Sequence, residues 1–195
     1  MLTTPDSIRT QRKLYRKAKQ EPACRFHALY DKVYRADILS HAYDLVRANK
    51  GGAGIDGVSF EDIEAKEGAA AFVAELAEAL KSKRYKPDPV KRVTIPKDDG
   101  SNRPLGIPTI RDRVAQMAVK LVIEPIFEAD FCDNSYGFRP RRSAHDAVDD
   151  VAHTLNKGYS EVIDADVSKY FDTIPQAKLM IMVAERICDG CRTPQ

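Results

Sequence analysis

The sequence predicts an α+β fold, mostly helical with a few antiparallel strands. Three observations carry that expectation. Apolar residues recur at three- and four-residue spacing in several stretches, as one face of a helix requires. Two extended runs, Val90–Pro96 and Arg103–Pro108, flank the polar turn KDDGSN and read as a hairpin. A further short run, Val162–Val167, carries Asp164 and Asp166 in alternation, which puts both acids on one side of a strand.

A chain of 195 residues is long enough for one domain with a real core or for two smaller lobes. With 43% apolar and 31% charged residues the balance is that of a soluble globular protein. No apolar run is long enough for a membrane span and no signal-peptide core is present, so the expected setting is cytoplasmic. Net charge is only +2, but its distribution is uneven. Arg9, Arg12, Lys13, Arg16, Lys17 and Lys19 face the single acid Asp6, and residues 81–113 hold a second basic cluster. Arg139, Arg141 and Arg142 form a third. Segregated basic patches suit a polyanion partner, although the first patch equally suits a solvated helix face. Cys24, Cys132, Cys188 and Cys191 read as unpaired thiols: Cys188 and Cys191 have CxxC spacing, but no second pair or His completes a zinc site.

In order along the chain, residues 5–20 predict a basic amphipathic helix with Ile8 and Leu14 as apolar anchors. A second helical stripe follows Pro22, from Phe26, Leu29 and Val33 to Leu39, Tyr43 and Val46, and suits core packing. NKGGAGIDG, residues 49–57, ends it. Its exposed amides can cradle phosphate, yet it lacks the Lys-Ser/Thr ending of a triphosphate loop, so a helix stop is favoured. Gly68–Tyr85 is a third helix, its acids early and its bases late, as the dipole prefers. The hairpin then sets Lys97 and Arg103 on opposite arms of one turn, where both reach a phosphate chain or simply stay in solvent. Thr109–Phe127 is a strongly apolar helix with Arg111 and Arg113 near its start, against the dipole; a polyanion, neighbouring acids or outward bending offsets that cost. In NSYGFRPRR, residues 134–142, Tyr136 and Phe138 interleave with Arg139, Arg141 and Arg142, giving rings for base stacking or for a core beside phosphate ligands. Ser143 caps a helix over 144–156, with Asp146 completing an acidic capping box. After Pro175 a last apolar helix runs to Gly190.

Glu161–Pro175, EVIDADVSKYFDTIP, carries the sharpest chemical signal. An acid at the end of an apolar strand is costly to bury unless its charge is offset, and a divalent cation offsets it while also taking substrate phosphates. Pattern alone does not separate Asp164 from Asp166, and both Asp164 and Asp172 can simply bound a strand-turn-helix.

Four segments stand in a telling order: NKGGAGIDG, YKPDPVKRVTIPKDDGSNRPLGIPTIRDRVAQ, NSYGFRPRRSAHDAV and VIDADVSKYFDTI. Together, from about Tyr30 to Ile187, they resemble the fingers and early palm of bacterial group II intron reverse transcriptases, also called maturases; retron enzymes share a looser version. The resemblance implies reverse-transcriptase-like fingers with an incomplete palm. Residues 1–48 would be N-terminal helices, 49–160 a fingers-like region, 161–190 the start of the palm and 191–195 a tail. It implies an RNA-directed DNA polymerase acting in intron splicing and retrohoming by two-metal nucleotidyl transfer, with intron RNA, an RNA template with DNA primer, dNTP and Mg²⁺ as partners. By the same resemblance Asp166 is the first palm carboxylate, a ligand for both Mg²⁺ ions, and Val167 lends its carbonyl to the second. Phe171 stands beneath the incoming sugar and excludes a 2′-hydroxyl, while Lys97 and Arg103 hold the triphosphate. The glycine loop with Gly52 and Gly54 grips template RNA, and Arg111, Arg113, Tyr136, Arg139, Arg141 and Arg142 line the template and primer track.

One departure is plain. Tyr-Ala-Asp-Asp, which supplies two further palm acids in most members, occurs nowhere in these residues, and the resemblance leads to the expectation that the rest of the palm, the thumb and the maturase region are missing. The expectation is therefore a truncated fragment that does not polymerise; a non-catalytic RNA-binding fragment or a remnant without function are the alternatives. A metal-dependent nuclease needs several carboxylates too.

Overall fold

The computed structural model describes residues 6–96, 100, 102–167 and 170–189, the side chain of Asp172 excepted. The rest of the fold is assembled around one helix, α6 (Ile110–Glu128), which buries Ile110, Val114, Ala118, Leu121, Val122 and Ile126. Helix α3 (Ala36–Ala48) packs on it through Ile38, Leu39, Ala42, Tyr43 and Val46. Against α3 lie α4 (Phe60–Lys66) and α5 (Gly68–Lys81), and the Tyr43 ring meets those of Phe60 and Phe72 at centroid distances of 5.6 Å. Each large apolar side chain so buried contributes roughly 1.5–3 kcal/mol, which makes this bundle the stable part of the molecule.

Helix α1 (Asp6–Gln20) reaches α6 by a different route. Its buried residues are the small Ser7 and Ala18 with Leu14, so the two backbones approach closely. Pro125 lies inside α6 and has no N–H, which frees the Leu121 carbonyl four residues back. Gln11 Nε2 of α1 donates to that carbonyl at 3.2 Å, and Lys19 Nζ donates to the Ala129 carbonyl at the helix end. A helix-breaking residue thus becomes a docking point.

Strands β1 (Lys91–Pro96) and β2 (Asn102–Ile107) pair antiparallel, Ile95 opposite Arg103 and Lys91 opposite Ile107, and form a mostly exposed arm. Helix α2 (Tyr30–Val33) packs on α6 and α3 and is tied to the end of α5 by the Tyr30 hydroxyl, which donates to the Leu80 carbonyl. Beyond α6 come α7 (Ala144–Asn156), α8 (Tyr170–Thr173) and α9 (Gln176–Arg186), none with a buried residue among those described. Ser143 and Asp146 form the expected capping box, and its hydrogen bonds hold the Asp146 carboxyl below the usual range.

The architecture is the α+β one the sequence predicts, mostly helical with one antiparallel hairpin. No helix among the described residues is long and apolar enough to cross a membrane. Several details differ. The stripe after Pro22 is not one helix: residues 21–29 form a strap, and Phe26 pairs with Ile187 in a parallel bridge instead. The third helix stops at Lys81 rather than Tyr85, because Tyr85 turns inward to bond Asp112. Helix α4, with its Ser59–Asp62 capping box, was hidden in an acidic stretch. Most important, Val162–Val167 is not a strand. A strand needs a ladder partner, none is found among the described residues, and Ile163 stands 94% exposed. Of the cysteines, Cys24, Cys132 and Cys188 are free thiols, and Cys191 lies outside the described residues.

Candidate nucleic-acid and nucleotide interface

The glycine loop is built onto the first turn of α6. A Cβ on Gly54 would lie 2.6 Å from Thr109 Cα and 2.8 Å from Thr109 N, so only glycine lets the loop sit there. Thr109 is the N-cap of α6, its hydroxyl accepting from the Asp112 N–H at 3.2 Å. From the next turn Arg113 Nη2 donates to the Gly52 carbonyl at 2.6 Å. Burial lowers the Arg113 pKa, and the charge of Asp56 opposes that shift. Arg113 Nε is buried without a partner among the described residues. The loop is therefore a packed lid on α6, with Gly52 at its open edge. We expect Gly54→Ala to lower the thermal midpoint by several degrees, about 1–3 kcal/mol of overpacking strain, measured by circular dichroism. An unchanged midpoint would show that the loop packs on α6 less closely.

Arg111 also finds an internal answer to the dipole problem, pairing with Glu75 of α5 at 3.3 Å. Below both arginines, Asp112 is buried, 2% exposed, and accepts from the Tyr85 hydroxyl at 2.5 Å and the Asp88 N–H at 3.0 Å. Burial and this bond push the Tyr85 phenol well above its ordinary range. Asp112 thereby ties down residues 85–88, which lead into β1. Arg103 on β2 is exposed and makes no ion pair among the described residues. Lys97 lies outside the described residues.

The third basic cluster divides by geometry. Arg139 is an inner staple, its side chain 6% exposed: Nη2 meets Glu128 at 2.8 Å and Nη1 donates to the carbonyls of Cys132 and Ser135. The guanidinium also lies over the Phe131 ring. Arg142 donates to the Asp133 carbonyl and covers the Tyr136 ring, whose hydroxyl pKa is raised by burial and by a bond to Asp150. Arg141 alone of the three carries no ion pair among the described residues. Phe138, at φ 55°, is fully exposed.

The acidic segment stands apart. Asp164, Asp166 and Val167 are exposed on irregular chain, and Phe171, 82% exposed, stacks edge-on with Tyr170 in α8. No group of three or more His, Cys, Asp or Glu among the described residues could hold a metal ion.

What the sequence did not reveal is how α9 is fixed. Arg186, its side chain 11% exposed, donates to the carbonyls of Pro22 and Cys24 on the strap and to Asp130 Oδ1 at 3.1 Å. Its Nε lies 2.7 Å from Asp130 Oδ2, close but off the N–H direction. Asp189 accepts from the N–H groups of Leu29 and Tyr30 and so caps α2 from a distant part of the chain.

A family profile described as reverse transcriptase (RNA-dependent DNA polymerase) matches residues 95–193, from the tip of the hairpin through α9. Protein YkfC of Escherichia coli (strain K12) is 40% identical over 186 residues, 92% of this chain and 48% of that protein. Group II intron-encoded protein LtrA of Lactococcus lactis subsp. cremoris is 35% identical over 172 residues, 84% of this chain and 27% of LtrA. An uncharacterized 91 kDa protein in the cob intron of Schizosaccharomyces pombe is 31% identical over 166 residues, 82% of this chain and 19% of that protein. The chain thus spans about half the length of the first relative and about a quarter of the second. With that profile covering half of the chain, from the outer part of the arm through the acidic segment, the chain belongs to the reverse transcriptase (RNA-dependent DNA polymerase) family.

Proposed function

We propose that this chain is the fingers and the start of the palm of an RNA-directed DNA polymerase of the group II intron type, serving intron splicing and retrohoming. Residues 1–48 form its N-terminal helices, 49–160 its fingers and 161–190 the first palm segment. The observation that carries this reading is a helical body that bears an exposed arm, on which Arg103 has no ion-pair partner among the described residues, with the outer part of that arm and the acidic segment matched to one polymerase family. In it Arg103 and Lys97 grip the triphosphate, and Phe171 lies beneath the sugar. Asp166 and the Val167 carbonyl would hold Mg²⁺, which supplies charge neutralisation at the phosphates. Gly52, Arg141, Tyr136 and Arg142 face the template and primer, while Gly54, Arg111, Arg113 and Arg139 support that surface from inside.

These 195 residues carry one palm carboxylate motif and no Tyr-Ala-Asp-Asp, so by themselves they are expected to bind RNA without extending a primer. The purified chain, given an RNA template, DNA primer, dNTP and Mg²⁺, should yield no product, while its RNA affinity should fall steeply with salt. Primer extension lost in Asp166→Ala would refute the inactivity. Absence of saturable RNA binding would refute the assignment of the basic surface.

A further inference from the structure

Helix α7 is capped at Ser143 yet buries none of its described residues. Val148, Val151 and Leu155 follow one another at three- and four-residue steps, so they form one apolar stripe, and all three are exposed. Asp149 and Asp150 stand about 100° round the helix from Val148 and Val151, one on each side of the stripe. That acidic border repels a polyanion, which leaves a polypeptide as the occupant. A second uncovered apolar feature lies farther along the chain. Between α8 and α9 is a cleft of about 400 Å³ walled by Tyr170, Ile174, Leu179 and Met182, and lined also by Lys178. Helix α9 likewise buries no residue among those described, and α7 does not pack on it. Asp150 holds the Tyr136 hydroxyl, whereas Asp149 and Lys178 make no ion pair among the described residues.

We propose that α7 of one copy docks in the α8–α9 cleft of a second copy, and the reverse, so that the chain forms a two-fold dimer through two equal helix-in-cleft contacts. This dimer does not depend on the polymerase reading. The spacing of Val148, Val151 and Leu155 is that of the anchors a helix presents to a groove. Charge selects the cleft as their receptor. Docked there, Asp149 meets Lys178, and each finds the partner it lacks within one chain. Pairing α7 with its own copy would hide the stripe too, but it would set two acidic borders against each other. Size selects the reciprocal arrangement. A stable interface covers about 800 Å² on each partner, and three side chains in a single cleft fall short of that. Each copy here contributes both a helix and a cleft, which doubles the contact and closes it at two subunits.

Sedimentation velocity on the whole chain across a dilution series tests this. It should show a reversible dimer with a dissociation constant of about 10 μM or tighter. Val151→Glu spoils the stripe and Met182→Glu spoils the cleft, and each should leave monomers. Both side chains are exposed, so both variants should keep native circular dichroism. Asp149→Lys and Lys178→Asp should each weaken the dimer roughly tenfold, and the double variant D149K/K178D should recover most of that loss. A wild-type chain that stays monomeric well above that concentration overturns the dimer, and so does one that grows into open-ended polymers. Dimers that survive Val151→Glu or Met182→Glu overturn it by placing the interface elsewhere. Absence of recovery in D149K/K178D overturns the helix-in-cleft contact, and an Asp149→Lys variant that dimerises more tightly than wild type replaces it with α7 pairing on itself. None of these failures touches the polymerase reading, which stands or falls on RNA binding.

Discussion

Arg186→Ala is expected to free α9 from the helical body. The helix has no buried residue of its own among those described, so it owes its position to what happens at its C-terminal end. There one guanidinium donates to the carbonyls of Pro22 and Cys24 and to Asp130 Oδ1, lies in ion-pair range of Oδ2, and covers the Phe26 ring. Alanine leaves those acceptors without a donor and the Asp130 charge without its partner. Asp130 is itself exposed, so the ion pair is worth only about 1 kcal/mol, and the lost bonds to the two carbonyls bring the expected cost to about 2–3 kcal/mol. Lysine should not rescue it, since a single ammonium on a flexible stem cannot span two carbonyls and a carboxylate. The local consequence is more specific than the stability loss. The Phe26 N–H donates to the Arg186 carbonyl at 2.7 Å and the Cys188 N–H to the Phe26 carbonyl at 2.8 Å. Both amides should exchange with solvent at least tenfold faster in the variant, while amides of α3 and α6 fall only with global stability. Retained protection at residues 26 and 188 would show that the bridge holds without Arg186.

That clasp gives meaning to the segment before it. Residues 144–175 run between two anchored points, the Arg139–Glu128 staple and the Arg186 clasp, with Asp166 and Phe171 in between. The proposed palm residues are thus bounded at both ends by arginines whose donors point inward.

Little of that was legible in the sequence, and the reasons are physical. Helical periodicity exposed α6 and α3 because each carries its own apolar stripe, and the hairpin announced itself through its turn chemistry. Local capping was readable at Ser143 because both partners lie within one turn. Arg186 and Asp189, by contrast, act on backbone groups more than 150 residues away, and nothing within AERICDG distinguishes them from surface charges. The same holds for the basic clusters. Their polyanion character was visible, but whether an arginine faces outward depends on Glu75, Gly52 and Glu128, each distant enough that spacing says nothing about it. The alternating run at Val162–Val167 failed for another reason: alternation shows which residues share a face, and a strand also needs a neighbour to pair with.

Asp112→Ala should be equally severe and should reach the arm. Asp112 is the buried node where α6, the segment after α5 and the approach to β1 meet. Removing it leaves the Tyr85 hydroxyl and the Asp88 N–H without their acceptor in a partly buried site, at about 1–3 kcal/mol for each donor left unsatisfied, so a total near 3 kcal/mol is expected. Asp112→Asn should cost less, about 1–2 kcal/mol, because its one carbonyl oxygen can still accept from one of the two. Urea unfolding gives both numbers, and an unchanged m-value would place the loss in the native state. Titration of Tyr85 provides a separate readout. Its folded pKa is raised, so the stability it reports is fully present below the ordinary tyrosine pKa of about 10 and is lost as pH rises through the folded value. In the wild type Tyr85 should resist ionisation beyond the other tyrosines; in Asp112→Ala burial still holds it up, but with the bond and the Asp112 charge gone it should ionise at lower pH than in the wild type in ultraviolet difference spectra. Tyr85→Phe removes one donor and leaves Asp88 bonded, so it should cost only about 1 kcal/mol. If Asp112→Ala proved no worse than Tyr85→Phe, Asp112 would be a local hydrogen-bond acceptor and not the residue that roots the Arg103 arm on the helical body.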